Sequence, residues 1–430
     1  MGNSGPQRTI EIPFGAKTLQ CQVPDENLLG IFQPVQTEGK DEILEVKRSL
    51  NAPIGLKRLA ELARSGMRAL IISDDISRKT PVHKIIPCIV DVLNESGVAD
   101  DRIRVIAVLG THRPMTPEEI ETKFGRDVTE RVEVLNHDSR DHRRQTYFGE
   151  TPSGIPVWVS KSVLEADLRI GIGSIAPHRV SGWSGGAKIV MPGISGEKTV
   201  GLTHMESAKY STRDILGKFE NPIRREMEFI ARRVGLDMIV NVVLNDDEEI
   251  LRAVTGDFVK AHREGATYAR RFLEVSLPFE SDIVIADSHP YDLDFWSSCD
   301  KGLCAAELAV REGGIIIYAN PCREGLGAGE SEGELQELGG LMPAEVLTRV
   351  RKGVAKDFTA AATAIMVGQV RQKARIILVS EGLSERESRK LGLESSASLD
   401  EAIKRAMRIS GSDASIAVLK HAPRLLPTIR

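Results

Sequence analysis

The chain has 430 residues, 41% of them hydrophobic and 27% charged, with 38 glycines, which is length enough for two to three domains at about 150 residues each. Its 57 Lys+Arg against 61 Asp+Glu leave a formal charge of −4, without the positive excess that a nucleic-acid binder uses to neutralise phosphates. No run approaches the ~18 consecutive apolar residues that cross a bilayer, so neither nucleic acid nor membrane is an expected partner.

The opening MGNSGPQRT has no basic stretch followed by an apolar one, and Pro6 stands where an N-myristoylation motif requires Ser or Thr. Five scattered cysteines (Cys21, Cys88, Cys299, Cys304, Cys322) without C-x-x-C spacing read as reduced thiols, and the cytoplasm is the expected compartment. Further along, short aliphatic runs end in loops rich in Gly, His or Asp: RALIISDDISR at 68–78, DRIRVIAVLGTHRP at 101–114, ADLRIGIGSIAPH at 166–178, SDIVIADSHP at 281–290, GGIIIYANP at 313–321 and ARIILVSEGL at 374–383. Near-continuous Ile/Val/Leu runs of this kind predict strands buried on both faces. Between them, 81–97 spaces Ile85, Ile86, Ile89, Val90 and Leu93 as a helix does, and Thr116–Glu119 and Ser398–Glu401 read as helix starts. Residues 237–244 and 250–254 flank Asn245-Asp246-Asp247 as a hairpin.

Alternating strands and helices predict an α/β protein with mostly parallel sheets. The helical stretch 258–275 gives way to SLPFESD and a fresh strand, which sets the expected domains at 1–275, joined by a returning segment at 410–430, and 282–405.

Ligands of open α/β sheets collect beyond the carboxyl ends of the strands. There the sequence places Asp74-Asp75-Ile76-Ser77-Arg78, Gly110-Thr111-His112-Arg113, Ser174 through His178, and Asp287-Ser288-His289. Residues 171–176 fit a dinucleotide fingerprint, G-x-G-x-x-A, but Pro177 and His178 follow where a helix must open. Gly182–Lys188 imitates a P-loop, with Ala187 in place of a required Gly and Ile189 in place of the Ser/Thr that binds magnesium. The glycine-rich segment from His178 to Lys188 permits close backbone approach to a phosphate, and Lys188 suits either a point charge or a covalent attachment. Three of the nine histidines (His112, His178, His204) fall in these segments. No H-E-x-x-H accompanies them, and general acid/base work near neutral pH is the reading their chemistry favours.

The set S-D-D-x-S-R-x-x-P at 73–81, G-T-H-R-P at 110–114, P-H-x-x-S-G-x-S-G-G-x-K at 177–188 and Lys198 through His204 resembles the nickel-dependent lactate racemase family over nearly the whole chain. The resemblance implies two α/β domains with the active site in the cleft between them, and a racemase or epimerase of a 2-hydroxy acid. Its cofactor is a nickel-pincer nucleotide, a pyridinium mononucleotide whose two sulfur-bearing arms hold nickel through carbon and sulfur. Lys188 then corresponds to the covalent attachment point, with Ser184, Gly185 and Gly186 around the cofactor, and His204 to the nickel ligand. His112 and His178 correspond to alternating bases, Arg78 to the holder of the substrate carboxylate, Asp75 to the residue that orients the histidine, and Lys301 to a second-domain substrate contact. The implied reaction is reversible hydride transfer through a 2-keto acid, with a small anionic substrate and cofactor-making enzymes as partners.

Several positions depart from the family pattern. Lys79 follows Arg78 where the family has Pro, Arg179 follows His178 where lactate enzymes carry an aromatic residue, Trp296–Asp300 replaces the usual approach to Lys301, and Phe358 stands for a Trp. Lys79 and Arg179 are either receivers of a second anionic group or surface charges, so lactate, malate-like acids and sugar acids are all substrates to weigh. A nicotinamide-dependent 2-hydroxy-acid dehydrogenase and a non-catalytic cofactor or ligand carrier are the alternatives.

Overall fold

The computed structural model describes residues 6–39, 41–327 and 332–430; the first five residues of the segment read for targeting signals lie outside them. The chain divides into two compact units, one made of Gln36–Thr203 and Gly217–Phe272, the other of the described residues up to Val35, His204–Leu216 and Leu273–Arg430. It is an α/β protein, with a six-stranded sheet in each unit.

In the first unit the strands run in the order Ile250–Gly256, Met238–Leu244, Leu168–Ser174, Ala69–Asp74, Ile103–Val108, Glu133–Asn136. All neighbours are parallel except the Met238–Leu244/Ile250–Gly256 hairpin at the edge. Ala69–Asp74 and Met238–Leu244 are buried at every position, as their unbroken aliphatic runs require of strands covered on both faces. The helix Val82–Glu95 turns Val82, Ile85, Ile86, Ile89, Val90 and Leu93 into the same core as Ile71, Val105 and Ile170. Each such side chain contributes about 1.5–3 kcal/mol of burial.

The strand order also fixes where a ligand fits. From Ala69–Asp74 the chain moves outward to Ile103–Val108 and Glu133–Asn136, then returns to place Leu168–Ser174 on the other side of the starting strand. The direction of winding therefore reverses between Ala69–Asp74 and Leu168–Ser174, and loops that leave their carboxyl ends diverge around a crevice.

In the second unit the order is Glu394–Ser396, Arg375–Val379, Val310–Ala319, Ser281–Asp287, Ile416–Leu419, Leu28–Phe32, all parallel. This differs from the organisation expected of the sequence. The segment 410–430 does not return to the first unit: Ile416–Leu419 pairs with Ser281–Asp287, placing Ile283 opposite Ile416 and Ile285 opposite Val418. Nor do the residues before Val35 belong with the first unit. Leu28–Phe32 covers the other edge of Ile416–Leu419, and the hairpin Gln7–Phe14/Lys17–Pro24 buries Ile10, Ile12 and Val23 against Ile283 and Ile317. The reason is that Ile416–Leu419 is buried at all four positions and needs a neighbour on each side, which its local sequence does not name. Among the described residues no helix is long and apolar enough to cross a membrane.

Candidate active site

Three loops of the first unit, each following a parallel strand, hold the candidate residues. In the loop after Ala69–Asp74, Asp75 is 4% exposed and its Oδ2 lies 2.8 Å from His112 Nδ1, which follows Ile103–Val108. Ser77 donates from its backbone N–H (3.2 Å) and its hydroxyl to Asp75 Oδ1, and that hydroxyl is 3.3 Å from His112 Nδ1. Burial raises the Asp75 pKa, but the charge and hydrogen bond of His112, the charge of Arg78 and the Ser77 hydroxyl outweigh it and hold the carboxyl well below the usual carboxylate range. An ionised carboxylate only accepts hydrogen bonds, so His112 turns an Nδ1–H toward Asp75.

Arg78 closes the same turn, its backbone N–H donating to Asp75 O at 3.1 Å. Its Nη1 is buried and has no hydrogen-bond partner among the described residues, a donor suited to an incoming carboxylate. Beneath the loop lies a residue that sequence reasoning missed. Lys123, from the helix Pro117–Phe124, sits 3.0 Å from Asp74 Oδ1 and donates to Arg78 O (2.7 Å) and Thr80 O (3.0 Å). Thr80 Oγ1 completes the clasp by donating to Asp74 Oδ2. A lysine at the end of a short amphipathic helix gives no motif to find. Both Lys123 and Asp74 are buried, so Lys123→Met is expected to leave an uncompensated carboxylate and cost about 3–5 kcal/mol, read as a lower urea midpoint with unchanged m.

The third loop, after Leu168–Ser174, folds back on itself, with Pro177 opposite Trp183 and His178 opposite Gly182. His178 Nδ1 accepts the Val180 N–H at 3.1 Å. Ser184, expected at the cofactor, uses its hydroxyl for the turn: it accepts from Ala176 N (2.9 Å) and donates to Ser174 O (2.7 Å). Gly185 and Gly186 both have positive φ, +77° and +61°, and a Cβ there would meet Asn241 Oδ1 at 2.7 Å and the His262 ring at 2.9 Å. Only glycine fits both the backbone and the space. Sequence reasoning also missed the collar behind this loop. Arg224 donates to the carbonyls of Ser181, Trp183 and Gly185, His262 Nε2 donates to Ser184 O at 2.9 Å, and Asn241 Oδ1 takes the Gly186 N–H at 2.7 Å. Burial, with the nearby charges of Arg224 and Arg263, holds the His262 pKa well below the usual imidazole value, so it serves as a neutral donor. On this support Lys188 stands half-buried in the 3-10 turn Gly186–Ile189.

The two extra cations separate. Lys79 is exposed and paired with Glu248 at 3.0 Å, a surface ion pair. Arg179 is 0% exposed and is no surface charge. The structure thus brings Asp75, Ser77, Arg78 and His112 together and sets His178, Ser184, Gly185, Gly186 and Lys188 on one supported loop across the winding reversal.

His204 and Lys301 fall in the second unit. His204 is half-buried on the helix Glu197–Ser207. Lys301, on Phe295–Ala309, lies 2.9 Å from Asp300 Oδ1, donates to Ser297 O and sits 5.1 Å from the centre of the Tyr291 ring. Among the described residues no group of three or more His, Cys, Asp or Glu is placed to hold a metal ion.

Residues 14–214 match the family model for the lactate racemase N-terminal domain, and residues 277–422 that for the lactate racemase C-terminal domain. A lactate racemase of Lactiplantibacillus plantarum is 32% identical over 421 residues, 95% of this chain and 97% of that protein. The chain belongs to the lactate racemase family. It is an enzyme of the racemase kind, an isomerase. A second member, the lactate racemase of Thermoanaerobacterium thermosaccharolyticum, is 34% identical over 324 residues, 74% of this chain and 75% of that one. The solved lactate racemase apoprotein from the same organism superposes with a TM-score of 0.88 at 30% identity, over 98% of this chain and 100% of that structure.

Proposed function

We propose that this lactate racemase family member interconverts the enantiomers of a short 2-hydroxy acid, lactate foremost. The observation that carries the reading is the Asp75–Ser77–His112 constellation beside the unpartnered Nη1 of Arg78. Arg78 receives the substrate carboxylate, and its fork fixes the orientation of C2 and the hydroxyl. Asp75 holds the His112 ring so that Nε2 faces the hydroxyl as a base, and His178 reaches the substrate oxygen from the glycine-rich loop.

The chemistry of the donor set fits a nickel-pincer nucleotide. All five cysteines are buried, and among the described residues no group of three or more His, Cys, Asp or Glu is placed to hold a metal ion, so nickel bound here would need soft donors brought by an organic group. Lys188 is the residue to attach that group, on the turn that Gly185 and Gly186 open, and the family resemblance assigns the metal's imidazole to His204. When bound, the group supplies a reversible acceptor for the C2 hydrogen as hydride.

The test is chiral chromatography of D- and L-lactate, and of a panel of longer 2-hydroxy acids, with protein produced in cells that make the cofactor, alongside mass spectrometry of the Lys188 peptide. Loss of enantiomeric excess from either side and an adduct on Lys188 are the expected results. An active enzyme with unmodified Lys188 would exclude the pincer group. NADH formation would indicate a dehydrogenase, and an adduct with no stereochemical change a carrier.

A further inference from the structure

Four carbonyls of the glycine-rich loop are held from behind, and three of them rest on one arginine. Arg224 donates to Ser181 O, Trp183 O and Gly185 O, and a guanidinium offers only N–H groups. The fourth, Ser184 O, is met by His262 Nε2 at 2.9 Å. An imidazole nitrogen presents either a hydrogen or a lone pair, so this bond depends on what the other ring nitrogen does. His262 Nδ1 lies 3.0 Å from Arg263 Nη1. Because the guanidinium only donates, Nδ1 is bare, and the neutral ring has its one hydrogen on Nε2, where the carbonyl accepts it. Both contacts demand the same tautomer.

Arg263 is itself held in place. Its Nε and Nη2 donate to Glu220 Oε1 at 3.0 and 2.6 Å, and Nη2 forms an ion pair with Glu228 Oε1 at 2.8 Å. Glu228 and His262 are both buried. The line runs from Glu228 on the helix Pro222–Val234, through Arg263 and His262 at the start of the helix Lys260–Leu273, to the loop, and all of it lies in the first unit. A Cβ at Gly186 would also meet the His262 ring, so the ring borders the loop at two points.

We infer that Arg263 is a positioning residue for the proposed reaction, acting through His262 to fix the turn that carries Lys188. The inference rests on the function proposed above, in which Lys188 takes the organic group. Without the guanidinium, Nδ1 of a buried ring becomes an acceptor with no donor, which is costly. A hydrogen on Nδ1 relieves this, and the neutral ring then turns a lone pair on Ser184 O. Two acceptors at that distance repel each other, and the loop leaves its support. Lys188 stands four residues further along, on the turn Gly186–Ile189, and a shift at Ser184 is passed to it.

The experiment compares Arg263→Met, His262→Phe and His262→Gln with the native protein. Glutamine offers an amide N–H to Ser184 O and an amide oxygen to Arg263, reproducing both bonds without an ionisable group. In the apoproteins, amide hydrogen exchange of residues 182–190 should quicken about tenfold or more in Arg263→Met and His262→Phe and stay near native in His262→Gln. As holoenzymes matched for Lys188 adduct, the first two should lose about a hundredfold in kcat, the effect of a group displaced by about 1 Å, with His262→Gln within about tenfold of native. Unchanged exchange or a native kcat in Arg263→Met, or a His262→Gln protein as impaired as His262→Phe, would overturn the inference. Nitrogen NMR of the native apoprotein with ¹⁵N-labelled histidine needs no variant: His262 should show a bare Nδ1 and a protonated Nε2, and a protonated Nδ1 would overturn the inference equally. A native holoenzyme that racemises no hydroxy acid would instead refute the proposed function, while exchange and NMR of the apoprotein still decide whether Arg263 sets the loop.

Discussion

Alanine at position 112 is expected to lower kcat about 10⁴-fold in both directions while leaving the mass of the Lys188 peptide unchanged. General-base catalysis contributes about 10²–10⁴-fold, and the upper end applies because the carboxylate beside the imidazole is not placed to replace it. Asp75, the nearest carboxylate, is buried at 4% exposure and is turned toward Nδ1 and the Ser77 hydroxyl. Ser77 is itself a donor to that carboxylate. The readout is chiral chromatography of each enantiomer with holoenzyme matched for nickel content. A variant within tenfold of the native rate would remove His112 from the role of base.

Asp75→Asn should cost about 10²–10⁴-fold in kcat with little change in KM, since a carboxylate that fixes an imidazole's tautomer acts on the base more than on substrate binding. An amide in this place can turn its NH₂ toward His112 Nδ1, which then becomes the acceptor and moves the hydrogen to Nε2, where the lone pair is needed. The size difference between the two side chains is negligible, so the loss isolates the charge and the tautomer. The pH behaviour follows from the depressed carboxyl pKa. A carboxylate whose folded pKa lies below its unfolded value of about 3.9 contributes stability that is complete above that value and is lost as pH falls through the folded one. Across the neutral range Asp75 therefore stays ionised, and the Asp75→Asn defect should persist from pH 6 to pH 8. A defect that vanished within that window, or a large rise in KM with native kcat, would show that Asp75 acts on binding instead.

The inner strands of both sheets were legible because strands covered on two faces have one simple signature, an unbroken aliphatic run, whereas the edge strands Glu133–Asn136, Leu28–Phe32 and Glu394–Ser396, with no fully buried position, went unread. Ile71, Ile170, Val240, Ile285 and Ile317 are all 0% exposed. Legibility failed where a segment's partner lies far along the chain. Ile416–Leu419 announces a buried strand, but nothing near it says that Ser281–Asp287 and Leu28–Phe32 flank it. The loops of the site were legible for a related reason: they follow recognisable strands and concentrate Gly, His, Asp and Arg. Lys123, Arg224, Asn241 and His262 escaped notice because each reaches its loop from a separate helix or strand. They donate to or accept from backbone groups, and a carbonyl has no sequence identity with which a partner can be matched. His178 is a case of the same limit, since its Nδ1 takes the backbone amide of Val180.

The parallel pairing of Leu28–Phe32 with Ile416–Leu419 bears on how the protein is made. A ribosome releases residues 28–32 long before residues 416–419, and in the interval this early strand lacks its neighbour. The aliphatic side chains of the hairpin that precedes it likewise wait for Ile283 and Ile317. The intervening unit of residues 36–203 and 217–272 holds its own sheet and core and can complete itself during synthesis, as domains generally do. The cost of closing a loop of nearly four hundred residues grows only logarithmically with its length, and a folded unit within it shortens the effective span. Newly made chains therefore pass through a stage in which one half is native and the other displays an unpaired strand edge. That nascent stage, rather than the finished enzyme, is where chaperone demand and aggregation should concentrate.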